Sequence, residues 1–182
     1  MSVTMSDNIE YEGKILEIDV ESIKQKLAEL GAELKGDFLQ KRYVFDTIPF
    51  DKNRWIRLRT NGEKTTLAVK EITDDSIEGT KEWEVTVSDF DVTFELLKKI
   101  GVTPNRYEEN KRIDYSLDDC SISIDSWPQI PTYLEVEGPN KEAVEKCATS
   151  LGLDISKLTG LNTKGVYKNY GINLEELKEL KF

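Results

Sequence analysis

The 182-residue sequence contains no histidine. That absence removes the common general base at neutral pH, every serine or cysteine triad that relies on imidazole, and ordinary histidine-bearing zinc sites. Cysteine is scarce as well. Cys120 and Cys147 are the only two, far apart and without metal-ligand spacing, so they read as small apolar residues of a reducing compartment. No secretory leader, bilayer-length apolar run or low-complexity segment is evident, and the expected location is cytoplasmic. Basic charge is in deficit: 25 Lys+Arg against 35 Asp+Glu leave a formal charge of -10. A general nucleic-acid or membrane-surface partner is therefore disfavoured, since both attract basic proteins. An anionic ligand would need a local positive pocket or a metal. The length suits one domain with at most a small appendage.

What the chain has in abundance is alternation. In the stretch Glu10-Tyr11-Glu12-Gly13-Lys14, an extended backbone puts Glu10, Glu12 and Lys14 on one face, roughly 6.5 Å apart, and Ile9, Tyr11 and Ile15 on the other. Two neighbouring carboxylates repel unless a cation lies between them, and hard oxygen donors suit Mg²⁺ or Mn²⁺; the lysine suggests an anion arriving with the metal. The plain alternative is the solvated face of an edge strand. Similar alternation recurs from Phe38 to Asp46, in Trp55-Ile56-Arg57-Leu58-Arg59, in Thr66 to Lys70 after an Asn61-Gly62 turn, in Glu82 to Val87, and in three runs between Tyr107 and Glu137, for eight strands in all.

Helical spacing appears at Ile23, Leu27 and Leu30 before Gly31, then from about Asp91 to Ile100 with Val92, Phe94, Leu97 and Ile100 as the buried stripe. A third helix from about Lys141 to Leu151 buries Ala143, Val144, Cys147 and Leu151, and a short one covers Thr163 to Tyr170. Leu174 to Leu180 reads as a polar amphipathic helix, a loosely attached tail. Leu30-Gly31 followed by Lys41-Arg42-Tyr43 faintly resembles Ile100-Gly101 followed by Lys111-Arg112 and Tyr115, hinting at two similar halves. Trp55, Trp83 and Trp127 are expected in core or barrel-end packing.

The polar rows are dominated by carboxylates, arginines and lysines. If the helices cover the apolar faces and the twisted strands curl, the charged faces meet across an interior, where each uncompensated group would cost several kcal/mol. Glu10, Glu12, Glu82, Glu84, Asp125, Glu135 and Glu137 supply negative charge, and Lys14, Arg57, Arg59, Lys70 and Arg112 positive. A bound polyphosphate with a divalent metal would satisfy both sets. A half-exposed sheet is the competing reading.

These residues, in this order, resemble the CYTH superfamily, also called triphosphate tunnel metalloenzymes, over about residues 9 to 170. The resemblance implies an α+β fold: an eight-stranded antiparallel barrel, closed or nearly closed as a tunnel, with helices outside. It divides the chain into a flexible N-terminus (1–8), the tunnel domain (9–171) and a C-terminal helical tail (172–182). It implies catalytic roles for Glu10, Glu12, Lys14, Arg57, Arg59, Lys70 and Arg112. Lys14, Arg57, Arg59, Lys70 and Arg112 would hold phosphate oxygens, with Glu82 and Glu84 beside the substrate and Lys164 similar to a late family lysine. Glu10, Glu12, Asp125, Glu135 and Glu137 would hold Mg²⁺ or Mn²⁺. The implied activity is hydrolysis of inorganic triphosphate, thiamine triphosphate or a nucleotide; the alternatives are an adenylyl cyclase of class IV and a non-catalytic triphosphate-binding module. The family's cyclases tend to carry Lys-x-Arg where this chain reads Asn110-Lys111-Arg112, so Lys111 should point to the opposite face. The resemblance also allows a homodimer.

Overall fold

A computed structural model describes residues 8–182. Strands β1 (Ile9–Ile15), β2 (Glu33–Asp46), β3 (Arg54–Thr60), β4 (Thr65–Ile72), β5 (Thr80–Val87), β6 (Pro104–Leu117), β7 (Cys120–Ser126) and β8 (Tyr133–Gly138) form a ring in the order β2-β3-β4-β5-β1-β8-β7-β6, closed by β2 pairing with β6. Each neighbouring pair in the ring is antiparallel. Closure leaves the ring without edges and divides the alternating side chains strictly into inner and outer sets.

The outer set builds the core with the helices. Helices α1 (Val20–Glu29) and α3 (Lys141–Ser150) lay Ile23, Leu27, Val144 and Cys147 over Ile122, Ile124, Leu134 and Val136. Helix α2 (Phe90–Lys99) puts Phe94 and Leu97 on Tyr43, Phe45 and Leu58, with Tyr43 stacked 4.1 Å from Phe94. Helix α4 (Thr163–Asn169) packs Val166 and Tyr167 against Trp127 and Tyr133 at one end of the barrel. Side-chain oxygens of Asp19, Asp89, Asn140 and Asn162 cap these helices by accepting backbone N–H groups of the first turn.

The faint repeat is real architecture. Adding 70 to the numbers of the cap Asp19, of Gly31, Gln40 and Arg42 gives Asp89, Gly101, Asn110 and Arg112. The ring maps onto itself when β1, β2, β3 and β4 are exchanged with β5, β6, β7 and β8. Equivalent residues face each other at both seams, Gln40 opposite Asn110 and Glu10 opposite Thr80. The barrel is two βαβββ halves related by an approximate two-fold axis.

Three expectations need correction. Val92 and Ile100 are exposed, because α2 docks through Phe90, Phe94 and Leu97, a stripe on the other side of the helix. The helix expected over Leu174–Leu180 is a 3-10 turn (Leu174–Glu176) and a two-residue strand, β9 (Glu179–Leu180), paired parallel with β6. Leu174 and Leu180 are buried against Trp127, Tyr133 and Tyr167, so this segment is anchored rather than a loosely attached tail. Among the tryptophans, Trp127 packs at the barrel end as expected, whereas Trp55 lines the channel mouth and Trp83 is on the outer face of β5, 40% exposed. The expectation for residues 1–8 lies, apart from Asn8, outside the described residues.

Candidate active site

The inner set converges. Glu10, Glu12 and Lys14 (β1), Arg57 and Arg59 (β3), Lys70 (β4), Glu82 and Glu84 (β5), Arg112 (β6), and Glu135 and Glu137 (β8) line a cavity of about 850 Å³ inside the barrel. A second cavity of about 320 Å³ shares Arg59, Arg112, Glu135 and Glu137 with it and opens toward Lys35, Asn61 and Lys64. The two are the ends of one charged channel. Asp125 lies behind this lining, fully buried. Lys164 lines the wider mouth from α4, half-exposed, with its ammonium on Glu175.

Opposite charges are interleaved. Lys14 Nζ lies 3.1 Å from Glu12 Oε1 and 3.0 Å from Glu135 Oε2. Burial works against its charge, but those two carboxylates outweigh it and raise its pKa. Arg57 Nη2 donates to Glu82 at 2.6 Å and to Glu84 at 3.1 Å, and Arg59 Nη2 reaches Glu84 at 3.4 Å. Arg112 donates through Nε to Asp125 Oδ1 at 2.9 Å and through Nη2 to Asp125 Oδ2 and, at 3.0 Å, to Glu135. Burial opposes the positive charge of Arg112, and Asp125 and Glu135 raise its pKa in spite of it.

Some carboxylates remain crowded. Glu12 and Glu137 are directly opposite on β1 and β8, as are Lys14 and Glu135. Burial, then repulsion from Glu135 and Glu12, raises the pKa of Glu137. Glu10 is pushed up to about 8 by burial and by a hydrogen bond with Glu82, and its buried Oε2, although 2.7 Å from Lys70 Nζ, has no partner in hydrogen-bond geometry. Glu82 is held down at about 2: burial opposes its charge, while Glu10, Arg57 and Lys70 stabilise it. Crowded, hard oxygen donors of this kind fit a divalent cation. Among the described residues, however, no three carboxylates already converge on a single point. Glu10 is turned to Lys70, Glu12 and Glu135 to Lys14, and both oxygens of Asp125 to Arg112, with Oδ1 also accepting from Asn110.

Residues outside the expected set also face the channel. Arg42 and Glu108 line the wider cavity, Gln40 the narrower one, and Asn110 is fully buried between Arg42 and Asp125. Arg42 shares its face of β2 with Val44, so it forms no conspicuous charged pair in sequence; the offset of 70 to Arg112 was the signal that could have found it. Lys111 does point outward, its ammonium 4.7 Å from the ring centroid of Phe182.

A closed antiparallel barrel whose interior carries facing acidic and basic rows defines the class. The chain belongs to the CYTH family, since the sequence model of the CYTH domain matches residues 8–166. The structure is similar to the PH1012 protein of Pyrococcus horikoshii OT3, at 26% identity over 84% of this chain and 96% of that one, with a TM-score of 0.71. It is also similar in fold to a Vibrio parahaemolyticus protein proposed to be an adenylate cyclase (12% identity, 90% and 99% covered, TM-score 0.76). A third similar structure is HpAC1 of Hippeastrum, proposed to be an adenylyl cyclase and showing a dominant triphosphatase activity (17% identity, 92% and 99% covered, TM-score 0.63). A search of curated proteins returned no match. As a CYTH protein with such a channel, the chain is a member of a triphosphate-processing tunnel family. Among the described residues, no helix is long and apolar enough to cross a membrane.

Proposed function

We propose that this protein hydrolyses the terminal phosphoanhydride bond of a small triphosphate compound with the help of Mg²⁺ or Mn²⁺. One observation carries the reading: five cations and a set of carboxylates, interleaved, converge on one channel inside the barrel. Arg57 and Arg59 stand on β3, Lys70 on β4, Lys14 on β1 and Arg112 on β6, with Glu10 and Glu12 on β1 and Glu135 and Glu137 on β8 beside them. Arginine forks match phosphate oxygens bidentately, and lysine adds a point charge. In this reading Lys14, Arg57, Arg59, Lys70 and Arg112 grip the phosphates and stabilise the charge spread over the transferring phosphoryl group. Glu10, Glu12, Glu135 and Glu137 would hold the metal, with Asp125 serving first to aim Arg112. The metal, when bound, supplies charge neutralisation and lowers the pKa of water. Attack by water on the terminal phosphorus breaks its bond to the bridging oxygen and releases phosphate and a diphosphate. Glu82 and Glu84 hold Arg57 and Arg59 beside the substrate, and Lys164 guards the wider mouth.

The enclosed channel and the charge of -10 support a small anionic substrate over nucleic acid. The outward Lys111 supports hydrolysis over cyclisation, because the channel lacks the second cation of a Lys-x-Arg pair on β6. Purified protein with Mg²⁺ or Mn²⁺ is expected to release phosphate from at least one of ATP, thiamine triphosphate and tripolyphosphate. Cyclic AMP with pyrophosphate from ATP would establish a cyclase instead, and tight binding with no product a binding module.

A further inference from the structure

The two-fold repeat places Arg42 and Arg112 at equivalent positions, yet their surroundings differ. Opposite Arg112 on β7 stands Asp125; opposite Arg42 on β3 stands a second arginine, Arg59. Arg42 is 5% exposed, and among the described residues no carboxylate lies within ion-pair distance of it. Its Nη2 donates to Gln40 Oε1 at 2.9 Å and to Asn110 Oδ1, and its guanidinium lies 4.7 Å from the ring centroid of Trp127. All three partners are neutral. Its buried Nε has no hydrogen-bond partner at all. Among the described residues, Arg59 has only Glu84 as an ion-pair partner, 3.4 Å away and shared with Arg57.

A buried cation without a counter-charge is costly, an unused buried N–H adds to the cost, and like charges directly across a strand pair repel. Burial, with Arg57 and Arg112 nearby, brings Arg42 down to about 10 against the pull of Glu108; burial and the surrounding arginines bring Arg59 to about 9. Both therefore stay charged at neutral pH. An anion seated between them would remove the repulsion and use the free N–H.

We propose that Arg42 and Arg59 form a further phosphate-binding site in the channel wall, one phosphate bridging the two guanidinium groups and accepting the Arg42 Nε–H. The proposal rests on the triphosphate reading and adds Arg42 to the residues that hold the substrate. Two planar forks on adjacent strands suit tetrahedral phosphate, whose oxygens accept from both at once.

The test compares wild-type protein with Arg42→Gln, which removes the charge and keeps a donor for Asn110. Calorimetric titration with inorganic tripolyphosphate and Mg²⁺ should show binding weaker by about tenfold to a hundredfold in Arg42→Gln. Without ligand, its melting temperature should be no lower than that of the wild type. Arg42→Lys, which keeps the charge but not the fork, should recover only part of the affinity. Wild-type affinity in Arg42→Gln overturns the site. If that variant does not fold, Arg42→Lys decides: weaker binding supports the site, and wild-type affinity overturns it. Wild-type protein that neither binds nor hydrolyses tripolyphosphate sinks the triphosphate reading and this site with it, whereas tight wild-type binding with unaffected variants sinks the site alone.

Discussion

The two halves of the barrel handle the same arginine in opposite ways. In the second half, Arg112 is clamped by both oxygens of Asp125 and by Glu135, and Asp125 is in turn held by Asn110. In the first half, Arg42 meets Arg59 where the repeat would place an acid, and it leans on neutral partners. A clamped arginine has part of its charge balanced and some of its donors engaged before any ligand arrives, so it is held in place to meet a phosphate with the donors left over. An uncancelled one is a receptor awaiting an anion. The other inner cations resemble Arg112: Arg57 lies on Glu82 and Glu84, Lys70 on Glu10 and Glu82, and Lys14 on Glu12 and Glu135. The two halves share a backbone plan and have diverged in charge at this pair: the arginine of β2 faces a cation, its counterpart on β6 an acid.

The strongest way to break this comparison is to remove the clamped arginine. Arg112→Ala leaves Asp125 fully buried with neither oxygen bound to a cation, and should cost about 3–5 kcal/mol in urea denaturation. A loss below about 1 kcal/mol would show that the clamp contributes little and that the halves do not differ as described. The comparison can also be sharpened by giving the first half its missing acid. Arg59→Asp recreates opposite Arg42 the pairing that Arg112 has with Asp125. Stability without ligand should rise by about 1 kcal/mol, while phosphate release should fall by about a hundredfold or more, since a phosphate-binding cation becomes a repelling carboxylate. Retained turnover would count against Arg59 as a phosphate ligand.

Much of this was legible in the sequence. Parity put Glu10, Glu12, Lys14, Arg57, Arg59, Lys70, Glu82, Glu84, Arg112, Glu135 and Glu137 on shared strand faces, and the family resemblance supplied the closed ring that turns those faces inward onto one channel. Three kinds of feature were hidden. Arg42 is flanked on its face by Gln40 and Val44, and its importance comes from Arg59, a neighbour set by strand pairing rather than by local pattern. For α2, Val92, Phe94, Leu97 and Ile100 are all apolar, and only docking on Tyr43 decides which of them are buried. The segment after Asn173 has helical periodicity, but Leu174 and Leu180 are drawn instead onto the Trp127–Tyr167 cluster, a contact no local signal encodes.

The outside of the barrel offers a milder form of the comparison. The offset of 70 makes Gly13 on β1 the counterpart of Trp83 on β5. Gly13 is covered: the chain at Leu158–Thr159 runs along β1, Lys14 exchanges backbone hydrogen bonds with Thr159 at 2.8 and 3.0 Å, and a Cβ on residue 13 would stand 2.7 Å from Leu158 Cγ. Gly13→Ala must therefore displace the Leu158 side chain and should cost about 1–3 kcal/mol in thermal or urea unfolding. A neutral result would mean that this segment yields freely.

Trp83, at the equivalent position, is 40% exposed, and its neighbour on the same face, Val85, is 61% exposed. Trp83→Thr keeps a β-branched residue suited to a strand and should change stability by less than about 1 kcal/mol, with phosphate release unchanged. The inner residues of that strand, Glu82 and Glu84, hold Arg57 from the other side of the sheet, and no side chain at position 83 can reach them without crossing the backbone layer. A loss of several kcal/mol in Trp83→Thr would show that this face is covered in solution, and a loss of turnover without a loss of stability would show that the two sides of β5 are coupled.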